Sequence, residues 1–245
     1  TNPEVVAQVD TTGDANSVDV SGSFAYVADG YYGLQVVDVS NPQNPEIIAN
    51  ADTPDVAYDV VVVGTHALVA DRRSGLQAVD VSDPQHPSLI GGANTPGEAW
   101  GLASADGFAC IADYGSGLQV IDTSTPMSPD RIGQVDLPGY ALSVAVSGTH
   151  AFVMADLYGL NVIDIANPSD PVLMGGIGTF HCPWAVAVAG NFAYVTDRFT
   201  GMHIIDISDA EHPIVVGSVE EIADETWGVA VKGSFAYATN AFGRL

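Results

Sequence analysis

Gly33-Leu34-Gln35-Val36-Val37-Asp38-Val39-Ser40 is the stretch whose reading decides the fold, because it returns four more times. The copies read GLQAVDVS from Gly75, GLQVIDTS from Gly117, GLNVIDIA from Gly159 and GMHIIDIS from Gly201, each starting 42 residues after the last. A sixth beginning stands at Gly243-Arg244-Leu245. A fixed period of this size predicts a repeat architecture rather than an ordinary globular core.

Working outward from the first copy, Phe24-Ala25-Tyr26-Val27-Ala28 and Ser17-Val18-Asp19-Val20 precede it as short strands, and Glu46 to Ala51 follows it. Gly22, Asp29-Gly30-Tyr31-Tyr32-Gly33 and Asn41-Pro42-Gln43-Asn44-Pro45 lie between them as turns. Each repeat is thus four strands, a to d. Strand a recurs at Val60-Val62, Leu102-Ser104, Val144-Val146, Val186-Val188 and Val229-Val231. Strand b recurs at Ala67-Ala70, Phe108-Ala112, Ala151-Ala155, Ala193-Thr196 and Phe235-Thr239. An extra residue near Met154 predicts a local bulge in the fourth repeat.

Four strands per repeat without a helical period predict an all-β fold, a six-bladed β-propeller of four-stranded antiparallel blades. Residues 1–245 then form a single propeller domain. Its sixth blade would be shared between the termini: strand d from residues 1–12, and strands a, b and a truncated c from residues 224–245. Closing the ring in this way would remove exposed sheet edges. Phrases such as AYVAD and GLQVVDVSNPxxP are similar to those of the LVIVD-repeat family of bacterial and archaeal surface and secreted proteins, over essentially the whole chain. The resemblance implies a propeller fold, presentation outside the cell and binding rather than a defined chemistry. Gly-His and Trp-Asp dipeptides of tryptophan–aspartate repeats are missing, as are sialidase-type Asp boxes.

The net charge is −24, with 30 acidic residues against six basic ones. Nucleic acid and anionic membranes demand a basic footprint, so neither is an expected partner. No run approaches the ~18 apolar residues of a membrane span. Such an acidic, lysine-poor surface suits a soluble monomer in an extracellular or cell-surface setting. Two cysteines, Cys110 in a core strand and Cys182 in a connection, are expected to remain free thiols.

Two acids recur in every repeat. Asp38, Asp80, Asp122, Asp164 and Asp206 end the third strand, while Asp29, Asp71, Asp113, Asp156 and Asp197 follow the second. A residue needed in every blade is scaffolding, accepting backbone hydrogen bonds in its turn. A ladder of calcium sites is the alternative, although the spacing of a calcium loop is lacking. No cofactor is expected, and neither catalytic nor metal-ligating residues are assigned. His181-Cys182 offers adjacent soft ligands without a partner pair.

Function is expected where the repeats differ. In a propeller with strand a innermost, the b–c and d–a connections share one face. The b–c loops carry Tyr31, Tyr32, Arg72, Arg73, Tyr114, Tyr158, Arg198 and Phe199, and so a large part of the chain's few basic residues. Tyr58, Trp100, Trp184 and Trp227 lead into strand a and include all three tryptophans. Aromatic and arginine side chains of this kind suit a protein or glycan ligand. The same aromatics can equally be packing between blades. Two further readings stand beside a binding or scaffold module. One is a hydrolase or lyase with Asp59 or Glu98 as its carboxylate and His181 or Arg72 assisting. The other is a purely structural segment of a longer surface protein.

Overall fold

The computed structural model of the protein describes residues 4–178, 181–220 and 226–240. The described chain is almost wholly strand and turn, with 3-10 geometry at Asp156–Tyr158 and at Glu220. Every repeat folds as a meander in which sequence neighbours pair. The first sheet is β1 (Ser17–Ser21), β2 (Phe24–Ala28), β3 (Leu34–Asp38) and β4 (Glu46–Ala51). The second is β5 (Asp59–Val63), β6 (His66–Ala70), β7 (Leu76–Asp80) and β8 (Ser88–Ala93). In the third are β9 (Gly101–Ala105), β10 (Phe108–Ala112), β11 (Leu118–Asp122) and β12 (Asp130–Val135). The fourth holds β13 (Ala141–Ser147), β14 (His150–Ala155), β15 (Gly159–Asp164) and β16 (Val172–Ile177). The fifth holds β17 (Pro183–Ala189), β18 (Phe192–Asp197), β19 (Gly201–Asp206) and β20 (Ile214–Val219). A sixth, two-stranded sheet pairs β21 (Thr226–Lys232) with β22 (Phe235–Asn240).

Local chemistry sets these hairpins. The two-residue loop between β1 and β2 opens on Gly22, whose φ of 61° is the left-handed value a tight hairpin needs at its first position. Within a sheet the two middle strands are buried on both faces, as in β2 and β3, whereas β4 is largely exposed. Small and β-branched residues predominate there because each face must meet a neighbouring sheet closely.

Contacts divide the chain into two compact units, Thr1–Ile111 with Ile121–Arg131, and Ala112–Val120 with Ile132–Leu245. In the first, Tyr26, Ala28, Leu34 and Val36 of the first sheet pack on Val60, Ala67, Val69 and Val79 of the second. The opposite face of that second sheet, through Leu68, Ala70, Leu76 and Ala78, packs on Leu102, Ala109, Ile111 and Ile121. In the second unit Phe152, Met154, Leu160 and Val162 meet Val186, Ala193, Val195 and Ile205. Within each unit, neighbouring sheets therefore stack face to face, and in the second sheet alternate residues of one strand serve two different interfaces.

Residues 4–11 show no strand geometry and Val5 is 80% exposed, while the rest of the expected shared blade, residues 1–3, 221–225 and 241–245, lies outside the described residues. Strand d hydrogen-bonds to strand c alone in the other sheets, and the residues that begin the sixth strand c (243–245) lie outside the described chain. The bulge expected near Met154 lies across from it on β13, between Ala141 and Ser143, which pair with Ala155 and Met154, and the fifth repeat has the same shift between Pro183 and Ala185. A further bulge recurs between the third and fourth strands, at Val36/Val37, Ala78/Val79, Val162/Ile163 and Ile204/Ile205. It twists the outermost strand, which helps protect an exposed edge from pairing with other chains.

Candidate functional site

The b–c turns are built on a buried carboxylate. Asp71 accepts hydrogen bonds from Thr53 Oγ1 (2.7 Å) and Asp55 N–H (2.9 Å), tying the preceding d–a connection to the end of β6. Asp29 does the same with Thr11 (2.6 Å) and Gly13 (3.0 Å). Asp197 takes the N–H groups of His181 and Cys182, both at 2.8 Å, and also those of Phe199 and Thr200 in its own turn. Burial pushes the Asp71 carboxyl above its ordinary value. For Asp197 burial acts the same way, but its hydrogen bonds outweigh it and hold that carboxyl below the ordinary value. The strand-c acids differ: Asp38, Asp80, Asp122, Asp164 and Asp206 each accept the N–H two residues on, in a local turn at the surface.

A second support is a polar side chain under four of these turns. Gln77 and Gln119 are buried in strand c and donate from Nε2 to Ser74 O and Ser116 O at 2.6 Å; Gln35 reaches Tyr32 O at 3.3 Å. His203 fills the same repeat position and meets Thr200 Oγ1 at 2.7 Å. Burial lowers the His203 pKa.

So held, each turn reaches the next d–a connection. Gly30 bridges Ala57, Arg72 bridges Ala99, and Tyr114 bridges Ala141. Gly30 has φ 58°, and Arg72 and Tyr114 keep the same left-handed backbone at 41° and 47°, where a side chain is strained. Each of these two side chains finds a partner one residue before the bridged alanine. Arg72 Nε lies 3.2 Å from Glu98 Oε2, and Arg73 Nε lies 3.1 Å from Oε1 of the same carboxylate. Burial raises the Glu98 carboxyl, but the two guanidiniums outweigh it and hold it below its usual range. Tyr114 stacks on Tyr140 with centroids 4.1 Å apart and planes within 2°.

The aromatics before strand a also meet. Tyr58 and Trp100 stack at 4.5 Å in the first unit. In the second, Trp184 meets Trp227 edge-on at 4.6 Å, and the Arg198 guanidinium lies 5.4 Å from the Trp227 ring and 5.6 Å from that of Phe199. All four indole and phenol rings of this position are only half-buried, so they pack on one another and still face solvent. Tyr158 lies against Gly139, beside Tyr140. Tyr31 is exposed and Tyr32 covers Gly13; among the described residues neither joins a ring contact. Tyr140 is the residue that the sequence reading missed. Its signal was positional, since it occupies the place of Glu98 in the next repeat.

The carboxylates proposed for catalysis are otherwise engaged. Asp59 accepts from Ser17 Oγ (2.6 Å), Val60 N–H (2.9 Å) and Leu102 N–H (2.8 Å), which satisfies the free edge of the neighbouring first strand. Asp19 and Ser143 do this for Val62 and Val186. Burial, with Asp19 nearby, pushes the Asp59 carboxyl from 3.8 up to about 6. A raised folded-state value means the folded chain binds the proton more tightly. The resulting stabilisation is complete below pH about 4 and lost as pH rises through about 6. Asp59→Asn is therefore expected to flatten the stability profile between those limits, by on the order of 2 kcal/mol. Urea titrations at several pH values check this, and a slope unchanged in the variant would contradict it. No group of three or more metal-ligating side chains occurs among the described residues.

A profile of the LVIVD repeat matches residues 12–53, 56–95, 96–136, 138–179 and 183–221. The chain belongs to the LVIVD-repeat family. No curated protein matches it in sequence. Among solved structures, a protein from Lactobacillus plantarum is similar over 95% of this chain and 79% of its own, at 13% identity and a TM-score of 0.80. The β-propeller domain of Cps50 (Swd1) from Myceliophteria thermophila matches 88% of this chain and 76% of its own, at 13% identity and 0.69. A functionally unknown protein from Desulfotomaculum acetoxidans matches 86% and 71%, at 17% identity and 0.73. At such identities the likeness concerns fold alone. In these LVIVD repeats the shared letters build the turn and its anchors, while the letters that vary carry the arginine and aromatic groups.

Proposed function

We propose that this LVIVD-repeat chain is a non-enzymatic binding or scaffold propeller, displayed outside a bacterial or archaeal cell, that takes a protein or glycan ligand on its b–c and d–a loops. Six blades, with ring closure between the two ends of the array, are part of this reading and rest on the 42-residue step and on the likeness to solved propellers. The observation that carries the binding role is the placement of Arg72 and Tyr114. Both occupy left-handed positions where glycine, as at Gly30, would be unstrained, and both side chains reach the following d–a connection, Arg72 to the Glu98 carboxylate and Tyr114 onto the Tyr140 ring. Strain of this kind collects at functional sites. The catalytic alternative has less support, because Asp59 and Glu98 are saturated by partners that hold the fold.

Trp100→Ala and Trp227→Ala are expected to weaken ligand binding at least about tenfold, the effect of losing a central aromatic anchor. His86 and His212 bond only to Asp83 and Asp209 in exposed turns between strands c and d. Their alanine variants should bind normally. A glycan array followed by titration of the best hit measures both sets. Loss of binding in the histidine variants alone would place the ligand elsewhere.

A further inference from the structure

Arg72 and Arg73 are adjacent in sequence yet converge on one carboxylate, Glu98, each through its Nε–H. Their bond lengths, 3.2 and 3.1 Å, and their separate oxygens show that Glu98 is shared evenly. Among the described residues no other side chain accepts from either guanidinium, so the Nη donors of both remain available. The Arg73 side chain is 70% exposed. Ala99 N–H donates to Arg72 O at 2.8 Å, which sets Glu98 and Trp100 on either side of the Arg72 bridge. Trp100 in turn stacks on Tyr58. Asp55 also stands nearby, accepting the Arg73 N–H at 3.2 Å.

On this basis, and resting on the binding role argued above, we infer that Arg72, Arg73 and the Tyr58–Trp100 stack form a subsite for a sugar ring bearing a single oxyanion, a carboxylate or a sulfate. Two planar guanidiniums present donors in the fork geometry that a planar or tetrahedral oxyanion accepts. Glu98 fixes their orientation before the ligand arrives, which lowers the ordering cost of binding. The half-exposed stack next to them offers an apolar face to the ring. With Glu98 and Asp55 balancing the two arginines, the cluster carries no net charge, so selection comes from directed donors rather than from a long-range field. The −24 charge of the whole chain repels long polyanions. The favoured ligand is for that reason a largely neutral saccharide with an isolated acid group.

Matched probes test this: methyl glucoside, methyl glucuronide, glucose sulfate and inorganic sulfate, titrated while the indole N–H of Trp100 and the Nε–H signals of Arg72 and Arg73 are followed by NMR. The glucuronide or the glucose sulfate should bind at least about tenfold more tightly than the glucoside, the worth of one charge-assisted hydrogen bond. Which of the two binds better distinguishes carboxylate from sulfate as the source of the oxyanion. Arg73→Gln and Arg72→Gly should each abolish the preference, bringing the affinity for the acidic sugars down to that for the glucoside. Arg72→Gly suits the φ of 41°, so it keeps the fold and isolates the side chain's role. Equal affinity for the sugars, or a preference that survives both variants, would overturn the subsite. So would inorganic sulfate moving the arginine signals without any sugar moving Trp100. If the glucoside binds in a Trp100-dependent way with no acid preference, the aromatic binding face stands and only the oxyanion subsite falls.

Discussion

Gly75→Ala is expected to destabilise the protein by about 3–5 kcal/mol, enough to unfold much of it at ambient temperature. Gly75 opens the repeated GLQ motif with φ 68°, and an added Cβ would lie 2.3 Å from Ala93 O and 2.7 Å from Thr95 N. Both are backbone atoms of β8 and its exit, which cannot swing aside as a flexible side chain would. The same approach recurs at Gly33, Gly117, Gly159 and Gly201, where an added Cβ would lie 2.1–2.4 Å from the carbonyl oxygen that ends the same repeat's strand d. Gly64 is the control. Its φ is 61°, yet nothing lies within 4 Å of the added carbon, so Gly64→Ala should cost only about 1 kcal/mol. Chemical denaturation of the two variants separates backbone conformation from close approach, and similar costs would mean that the strand contact contributes little.

Asp71→Ala should rank next, at about 2–4 kcal/mol, because it strands the buried Asp55 N–H and Thr53 hydroxyl that the carboxylate now satisfies. Ligand binding should fall with it, since Asp71 ties Asp55 to the turn that carries Arg72 and Arg73. Asp38→Ala, at a surface turn where the carboxylate serves only the nearby Ser40, should be the milder change and should leave binding alone. Equilibrium unfolding of both variants decides it: an Asp38 variant as unstable as the Asp71 variant would refute the division of labour between the two repeated acids.

Both acids read alike in sequence, as turn residues spaced 42 apart. Only the fold distinguishes them. Asp38 bonds two residues away, a local geometry that short polar side chains adopt by themselves. Asp71 bonds 16 and 18 residues away, and that distance is bridged only after β5 and β6 have paired. The pairing of Arg72 and Arg73 with Glu98 has the same character, as does that of Tyr114 with Tyr140. Each joins a b–c loop to a d–a connection some 25 residues on, and neither position carries a repeated letter.

What the sequence determined by itself was therefore the periodic part: the repeat length, four strands per repeat, the all-β class and the turns. These follow from local rules, in which glycine permits left-handed backbone, proline and Asx residues stop strands, and alternation selects a face. Tertiary structure alone decided which turn residues are buried anchors and which variable side chains meet. Those outcomes depend on contacts between segments far apart in the chain, whose free energy becomes available only when whole sheets have stacked.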